Sequence, residues 1–177
     1  KIPALLDTTN GVRVFESGSI LLYLAEKFAT FLPADSAKRT ETLNWLFWQM
    51  GGLGPMAGQN HHFCQYAPEK LPYAIERYVK ETSRLYGVLN KQLADGRDYI
   101  CGDYSIADMA CYPWIVPHER QRQNLQDFPA LAKWFERIAN REATIKAYDA
   151  GKSINTAPTV NEQAKSILFG QDAKTVI

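Results

Sequence analysis

Lys1-Ile2-Pro3-Ala4-Leu5-Leu6-Asp7, Thr8-Thr9-Asn10-Gly11, Val12-Arg13-Val14-Phe15 and Glu16-Ser17-Gly18 follow one another without interruption at the start of the sequence. The first block is a short apolar run suited to a strand. Asn10-Gly11 tolerates positive φ and is strong turn chemistry, and Val12 to Phe15 alternates as a second strand would. A β-hairpin is therefore predicted. After Glu16-Ser17-Gly18, apolar residues at Ile20, Leu21, Tyr23, Leu24 and Phe28 recur at helical spacing until Pro33 closes the segment. No turn signal precedes Lys1, so strand, strand, helix reads as a domain entered partway through.

Beyond Asp35 the character changes, because helical periodicity takes over and strand signals disappear. Ala37 to Met50 places Leu43, Leu46, Phe47 and Met50 on one helical face, and Gly51, Gly52, Gly54 and Pro55 predict a kink or break after it. Pro72 to Gln92 predicts a second long helix ended near Asp95-Gly96. Ser105 and Asp108, three positions apart ahead of an apolar run, form a variant capping box that starts a buried helix. Pro113 and Pro117 bend or end that helix, and Pro129 opens the next. A short helix near Thr144 to Tyr148 and a polar, loose tail from Gly151 complete the expectation. The predicted division is 1–32, 36–150 and a tail of 151–177.

The whole sequence is 177 residues, 46% apolar, with 20 Lys+Arg against 19 Asp+Glu and a formal net charge of +1. A chain of this size can bury a core without staples. Mixed charge offers no basic stripe for a phosphate backbone, so nucleic acid is not expected as a partner. No apolar run reaches the ~20 residues that span a bilayer, and no secretory signal opens the sequence. The expectation is a soluble, cytoplasmic protein that meets no membrane. Three cysteines, Cys64, Cys101 and Cys111, form no CxxC pair and read as free thiols rather than a disulfide or zinc framework. His61 and His62 are adjacent on a helix and point apart, with no ligand-spaced Asp, Glu or Cys, so no metal is expected. The aromatics Trp45, Phe47, Trp48, Tyr78, Tyr86, Trp114 and Trp134 read mostly as core, with some available to line a substrate cleft.

Two places near the start carry candidate chemistry. Pro3 suits a strand edge or start; a cis Ile2–Pro3 bond would instead turn the Ile2 backbone outward, where an extended peptide could pair with it. Glu16-Ser17 precedes a helix, and its ordinary reading is an N-cap. Alternatively the Ser17 hydroxyl and first-turn amides form a socket for a carboxylate, with Glu16 beside it for an ammonium group. Together these features suit a small peptide with an α-amino acid end.

Lys1-Ile2-Pro3-Ala4-Leu5, followed by Phe15-Glu16-Ser17-Gly18-Ser19-Ile20-Leu21-Leu22-Tyr23-Leu24-Ala25-Glu26-Lys27, resembles the second half of the thioredoxin-like domain of cytosolic glutathione transferases. Trp45-Leu46-Phe47-Trp48-Gln49, Gly51 to Met56, Gly58 to Phe63 and Pro72 to Tyr78 are similar to the bacterial Nu-class branch, glutathione-dependent disulfide-bond oxidoreductases related to the yeast nitrogen-catabolite prion regulator. The resemblance covers Lys1 to about Tyr148. It implies an α+β, mostly α fold: a partial thioredoxin-like domain, hairpin plus helix, followed by the all-helical glutathione transferase C-terminal domain. It also implies glutathione or glutathione disulfide as ligand, a homodimer, Pro3 as a cis proline, Ile2 pairing with the cysteinyl backbone, Glu16 and Ser17 holding the γ-glutamyl end, and Lys1 and Arg77 near the ligand's carboxylates. The Ser105–Asp108 segment matches the family's capping box, which implies a role in stability.

The matching stretch starts after the family's thiolate-stabilising turn, so the resemblance assigns that catalytic role to no residue here. Glu142 also stands where relatives place a proline before the last short helix. The leading expectation is thiol–disulfide exchange with glutathione as the sulfur nucleophile. The alternatives are a catalytically silent binding module and conjugation of glutathione to electrophiles.

Overall fold

The computed structural model describes residues 2–154 and 160–175. Two short strands, β1 (Ala4–Leu6) and β2 (Arg13–Phe15), pair antiparallel, with Ala4 opposite Phe15, Leu5 opposite Val14 and Leu6 opposite Arg13. The intervening turn closes as the Gly11 N–H donates to the Asp7 carbonyl at 2.8 Å, with Gly11 at φ 76° where a side chain would be strained. A residue overlooked in the sequence then fastens this hairpin. The buried Asp7 carboxylate accepts from the Thr9 N–H at 2.9 Å, the Thr9 hydroxyl at 2.6 Å, the Tyr23 hydroxyl at 2.6 Å and the Lys27 ammonium. Tyr23 and Lys27 lie four apart on α1 (Ser17–Lys27), so Asp7 ties the hairpin to one face of that helix.

The helix α2 (Ser36–Trp48) starts at Asp35, whose side chain accepts from the Lys38 N–H at 3.0 Å. At the expected kink or break after Met50, the α-helical pattern is interrupted and the chain stays helical. Gln49–Leu53 forms a π-helical turn, and α3 (Gly54–His61) follows with right-handed helical backbone throughout, before a second π turn at His62–Tyr66. Wider turns leave room for Pro55, which lacks a donor and sits at the start of α3 where none is needed. Glycine and proline therefore loosen the helix without ending it. Next, α4 (Pro72–Gln92) spans the stretch predicted for it, and Gly96 beyond its end adopts φ 89°.

Ser105 opens α5 (Ile106–Ile115) through a reciprocal capping box. Its hydroxyl accepts from the Ala107 N–H at 3.3 Å, while the Asp108 carboxylate accepts from the Ser105 N–H at 3.0 Å. The same carboxylate takes the Ile100 N–H at 3.0 Å and the Trp134 indole N–H at 2.8 Å from α6 (Pro129–Ala139). Pro113 lies inside α5 and Pro117 just beyond it. Where the sequence suggested a short helix and a loose tail, α7 (Glu142–Ile154) is longer, and α8 (Glu162–Phe169) follows with Asn161 accepting from the Ala164 N–H at 2.8 Å. Asn161 supplies an N-cap that the apolar periodicity alone did not flag.

The described chain forms two compact units, Lys1–Arg137 and Ile138–Ile177. In the first, Ala25 of α1, Leu46 of α2 and Ile106 and Ala110 of α5 make a buried cluster, with Leu21, Leu22, Leu43 and Met50 packed against it. The hairpin's helix is thus packed directly onto the helical part. Apolar burial of this kind stabilises by ~25 cal/mol per Å2. The second unit contains α7 and α8.

Candidate functional site

The backbone turns sharply at Glu16, which adopts φ 68° and ψ 123° as the residue preceding α1. A non-glycine residue at positive φ is uncommon, and such strain persists where the surroundings impose it. The Glu16 carbonyl accepts the Ile20 N–H at 2.9 Å, the first intrahelical bond, so Ser17, Gly18 and Ser19 present amides with no partner inside the helix. No side chain caps them and no acidic residue lies in the first turn. The ordinary N-cap reading therefore fails for this helix. Glu16 occupies the cap position with its side chain making no bond to the helix, and Ser17 is the first helical residue.

The exposed Ser17 hydroxyl donates instead to the Met50 sulfur at 3.8 Å. Gly18 is buried beneath the same thioether: a Cβ placed on Gly18 would lie 3.1 Å from Met50 Cγ, 3.1 Å from Sδ and 3.2 Å from Cε. A side chain at Gly18 would require the Met50 thioether to shift by a few tenths of an ångström. Around this contact Glu16, Gly18, Ser19, Leu22, Leu46, Phe47 and Met50 line a cleft of about 310 Å3. Glu16 and Ser19 are the polar residues of this lining, and Leu22, Leu46, Phe47 and Met50 are apolar. Phe47, read from sequence among the core aromatics, is 63% exposed and borders this cleft, whereas Tyr86 and Trp134 are fully buried.

The remaining candidates lie on separate elements. Ile2, 95% exposed, immediately precedes β1, and the Ile2–Pro3 peptide bond is cis. Arg77 projects from α4 with its side chain 54% exposed and pairs with Glu81 at 3.8 Å. Lys1 lies outside the described residues. Met50 and Leu22 were not recognised as site residues, since their role comes from packing between α1 and the π turn, and helical spacing reports only that they face inward.

The cysteines are free and dispersed. Burial pushes the half-buried Cys101 thiol up to about 11 and raises that of the buried Cys111 well above its usual range. The buried Cys64 donates to Asn60 Oδ1 at 3.1 Å. Cys101 and Cys111 are thus protonated near neutrality and poor nucleophiles. Burial, then the Arg120 charge, lowers the His61 pKa, which favours the neutral ring. Among the described residues no group of His, Cys, Asp and Glu could hold a metal ion. No described helix is long and apolar enough to cross a membrane.

A β-hairpin and a helix with no side-chain cap, followed by an all-helical part whose α5 opens on a capping box, match the architecture of a glutathione-transferase-type protein. Residues 54–142 match the glutathione S-transferase C-terminal domain family. The chain is 54% identical over 153 residues to the disulfide-bond oxidoreductase YfcG of Escherichia coli K12, covering 83% of this chain and 71% of that protein. It is 45% identical over 174 residues to the disulfide-bond oxidoreductase YghU of the same organism, covering 92% of this chain and 59% of YghU. A crystal structure of a glutathione transferase from Pseudomonas putida, with one glutathione disulfide bound per subunit, superposes at a TM-score of 0.75 with 40% identity, covering 82% of this chain and 68% of that one. The chain belongs to the glutathione transferase superfamily, in the branch that includes these disulfide-bond oxidoreductases.

Proposed function

We propose that this protein binds glutathione and catalyses glutathione-dependent disulfide exchange. The observation that carries the reading is the uncapped start of α1, where Ser17, Gly18 and Ser19 amides stand beside the Glu16 carboxylate. A γ-glutamyl group ends in an α-carboxylate and an α-ammonium, the charge pair that such a socket matches. In this reading the carboxylate lies on the α1 amides and the Ser17 hydroxyl, the ammonium faces Glu16, and the Ile2 backbone pairs with the cysteinyl unit beside Pro3. Arg77 and Lys1 add positive charge toward the ligand's carboxylates.

Glutathione supplies the sulfur. Its thiolate attacks a disulfide R–S–S–R′, forming a mixed disulfide and releasing R′S⁻; a second glutathione thiolate then attacks the glutathione sulfur, giving glutathione disulfide and RS⁻. The protein contributes orientation, since aligning sulfur with sulfur removes entropy from the barrier. The apolar rim of Leu22, Leu46 and Phe47 suits the organic part of the second disulfide. The names of YfcG and YghU, and the glutathione disulfide held by the Pseudomonas protein, support this assignment.

The same reading takes residues 1–32 as the glutathione-holding part, 36–150 as the helical domain and 151–177 as a tail, and takes the working form as a cytoplasmic homodimer. Free cysteines accord with a reducing compartment. Sedimentation at micromolar concentration reads the dimer directly. For the reaction, turnover of bis(2-hydroxyethyl) disulfide with glutathione is compared between the wild type and Ser17→Ala. The reading predicts catalysed turnover that falls at least ~10-fold in the variant, the scale of one hydrogen bond to a charged group. Turnover equal in both would remove Ser17 from the site.

A further inference from the structure

We propose that Met50 is a redox modification site: a peroxide converts its thioether to the sulfoxide, and the new oxygen occupies the carboxylate socket at the start of α1. This rests on the glutathione-binding reading above. The geometry is specific to this methionine. Its Sδ accepts the Ser17 hydroxyl at 3.8 Å, and its Cγ, Sδ and Cε fill the space where a Gly18 side chain would be. It is half-buried and lines the cleft, so a small oxidant reaches it from the same opening that admits ligand. It also packs against the cluster of Ala25, Leu46, Ile106 and Ala110, which holds the sulfur in place against α1.

The reaction balances with the peroxide as the sole oxidant. A sulfur lone pair attacks the terminal peroxide oxygen, the S–O bond forms, the O–O bond breaks, and the remaining oxygen leaves with the proton as water or an alcohol. Sulfur is oxidised and the peroxide reduced by the same number of electrons. The product is a polar, chiral group in place of a flexible apolar one, and methionine sulfoxide reductases restore the thioether.

Oxidation changes what the socket sees. A thioether is a weak acceptor, whereas a sulfoxide oxygen is a strong one, and the sulfur already meets the Ser17 hydroxyl at the start of α1, where the first amides have no helical partner. Those are the donors assigned above to the glutathione carboxylate. The Gly18 side of the sulfur is closely packed and the donor it already meets is the Ser17 hydroxyl, so the oxygen takes that donor. That bond competes with the ligand carboxylate for the start of α1. An oxidoreductase that works with glutathione would thereby lose its thiol cosubstrate when peroxide accumulates, and regain it on repair.

The test uses the full chain. Wild type and Met50→Leu are treated with hydrogen peroxide, the sulfoxide is located by peptide mass spectrometry, and glutathione affinity is measured by calorimetry before and after. Leucine keeps the apolar packing and has no oxidisable sulfur. Wild-type affinity is expected to fall ~10–100-fold, as for losing hydrogen bonds to a carboxylate, and to recover with a methionine sulfoxide reductase; the affinity of Met50→Leu, compared with its own untreated value, does not change on treatment. Full oxidation of Met50 with unchanged affinity overturns the proposal, as does an equal response in Met50→Leu. An untreated protein that binds no glutathione would overturn the proposed function instead. In that case the Ser17, Gly18 and Ser19 amide resonances decide the modification: they shift on oxidation of the wild type and not of Met50→Leu, and their failure to shift overturns it.

Discussion

Glu16 and Ser17 are neighbours in sequence, yet they act differently because one turns the chain and the other begins a helix. Glu16 at φ 68° turns the chain into α1 without a side-chain cap, and Ser17 gives its hydroxyl to Met50 rather than to the backbone. Replacing Glu16 by glycine would relax that backbone while removing the carboxylate. We expect Glu16→Gly to retain or gain thermal stability and to lose glutathione affinity, a combination that calorimetry and a melting curve separate. A simultaneous loss of both would mean that Glu16 serves the fold. The motif Glu16-Ser17 and the helix after it were legible in sequence because both signals are local. Its status as an open socket was not, since whether a cap is made depends on where the side chain points.

Between elements, two buried carboxylates carry the fastening. Asp108 joins the start of α5 to Ile100 and to Trp134 of α6. Asp108→Ala would leave those donors unpaired in the interior, costing about 4 kcal/mol of a stability that is ~5–15 kcal/mol for a typical domain. Urea unfolding measures it, and a loss under ~1 kcal/mol would contradict the role. Asp7 does the same for the hairpin and α1, and its carboxyl is held well below the usual range by Lys27 first, then by Thr9 and Tyr23. A folded-state pKa below the unfolded value of ~3.9 adds stability above that pH and loses it as pH falls. The gap in melting temperature between the wild type and Asp7→Asn should therefore narrow on acidification below about pH 4. A gap that is constant with pH would show the pairing to be energetically silent.

The capping box could be read from Ser105 and Asp108 because its reach is three residues. Asp7 could not be singled out, because its partners Tyr23 and Lys27 become neighbours only when the hairpin folds onto α1. The form of the interruption between α2 and α3 was not legible for a related reason. Glycine and proline disfavour an α-helical turn, but a π turn admits them, and no periodicity announces the extra residue.

For the whole molecule, the placement of sulfur separates the mechanisms. Cys101 and Cys111 are held protonated by burial, and Cys64 is buried against Asn60. Disulfide exchange that relies on Cys101 or Cys111 would be slow at neutral pH. The combined variant Cys64→Ser, Cys101→Ser and Cys111→Ala should keep most of the wild-type turnover when glutathione is saturating. Abolished turnover in a folded variant would place the nucleophile in the protein rather than in glutathione.

The central claim is that the start of α1 holds the γ-glutamyl end of glutathione. Calorimetric titration of glutathione disulfide into the wild type, Ser17→Ala and Glu16→Gln tests it most directly. The account predicts saturable binding to the wild type and at least ~10-fold weaker binding to each variant, as expected for the loss of a charge-assisted contact. Equal affinity in all three proteins would contradict it.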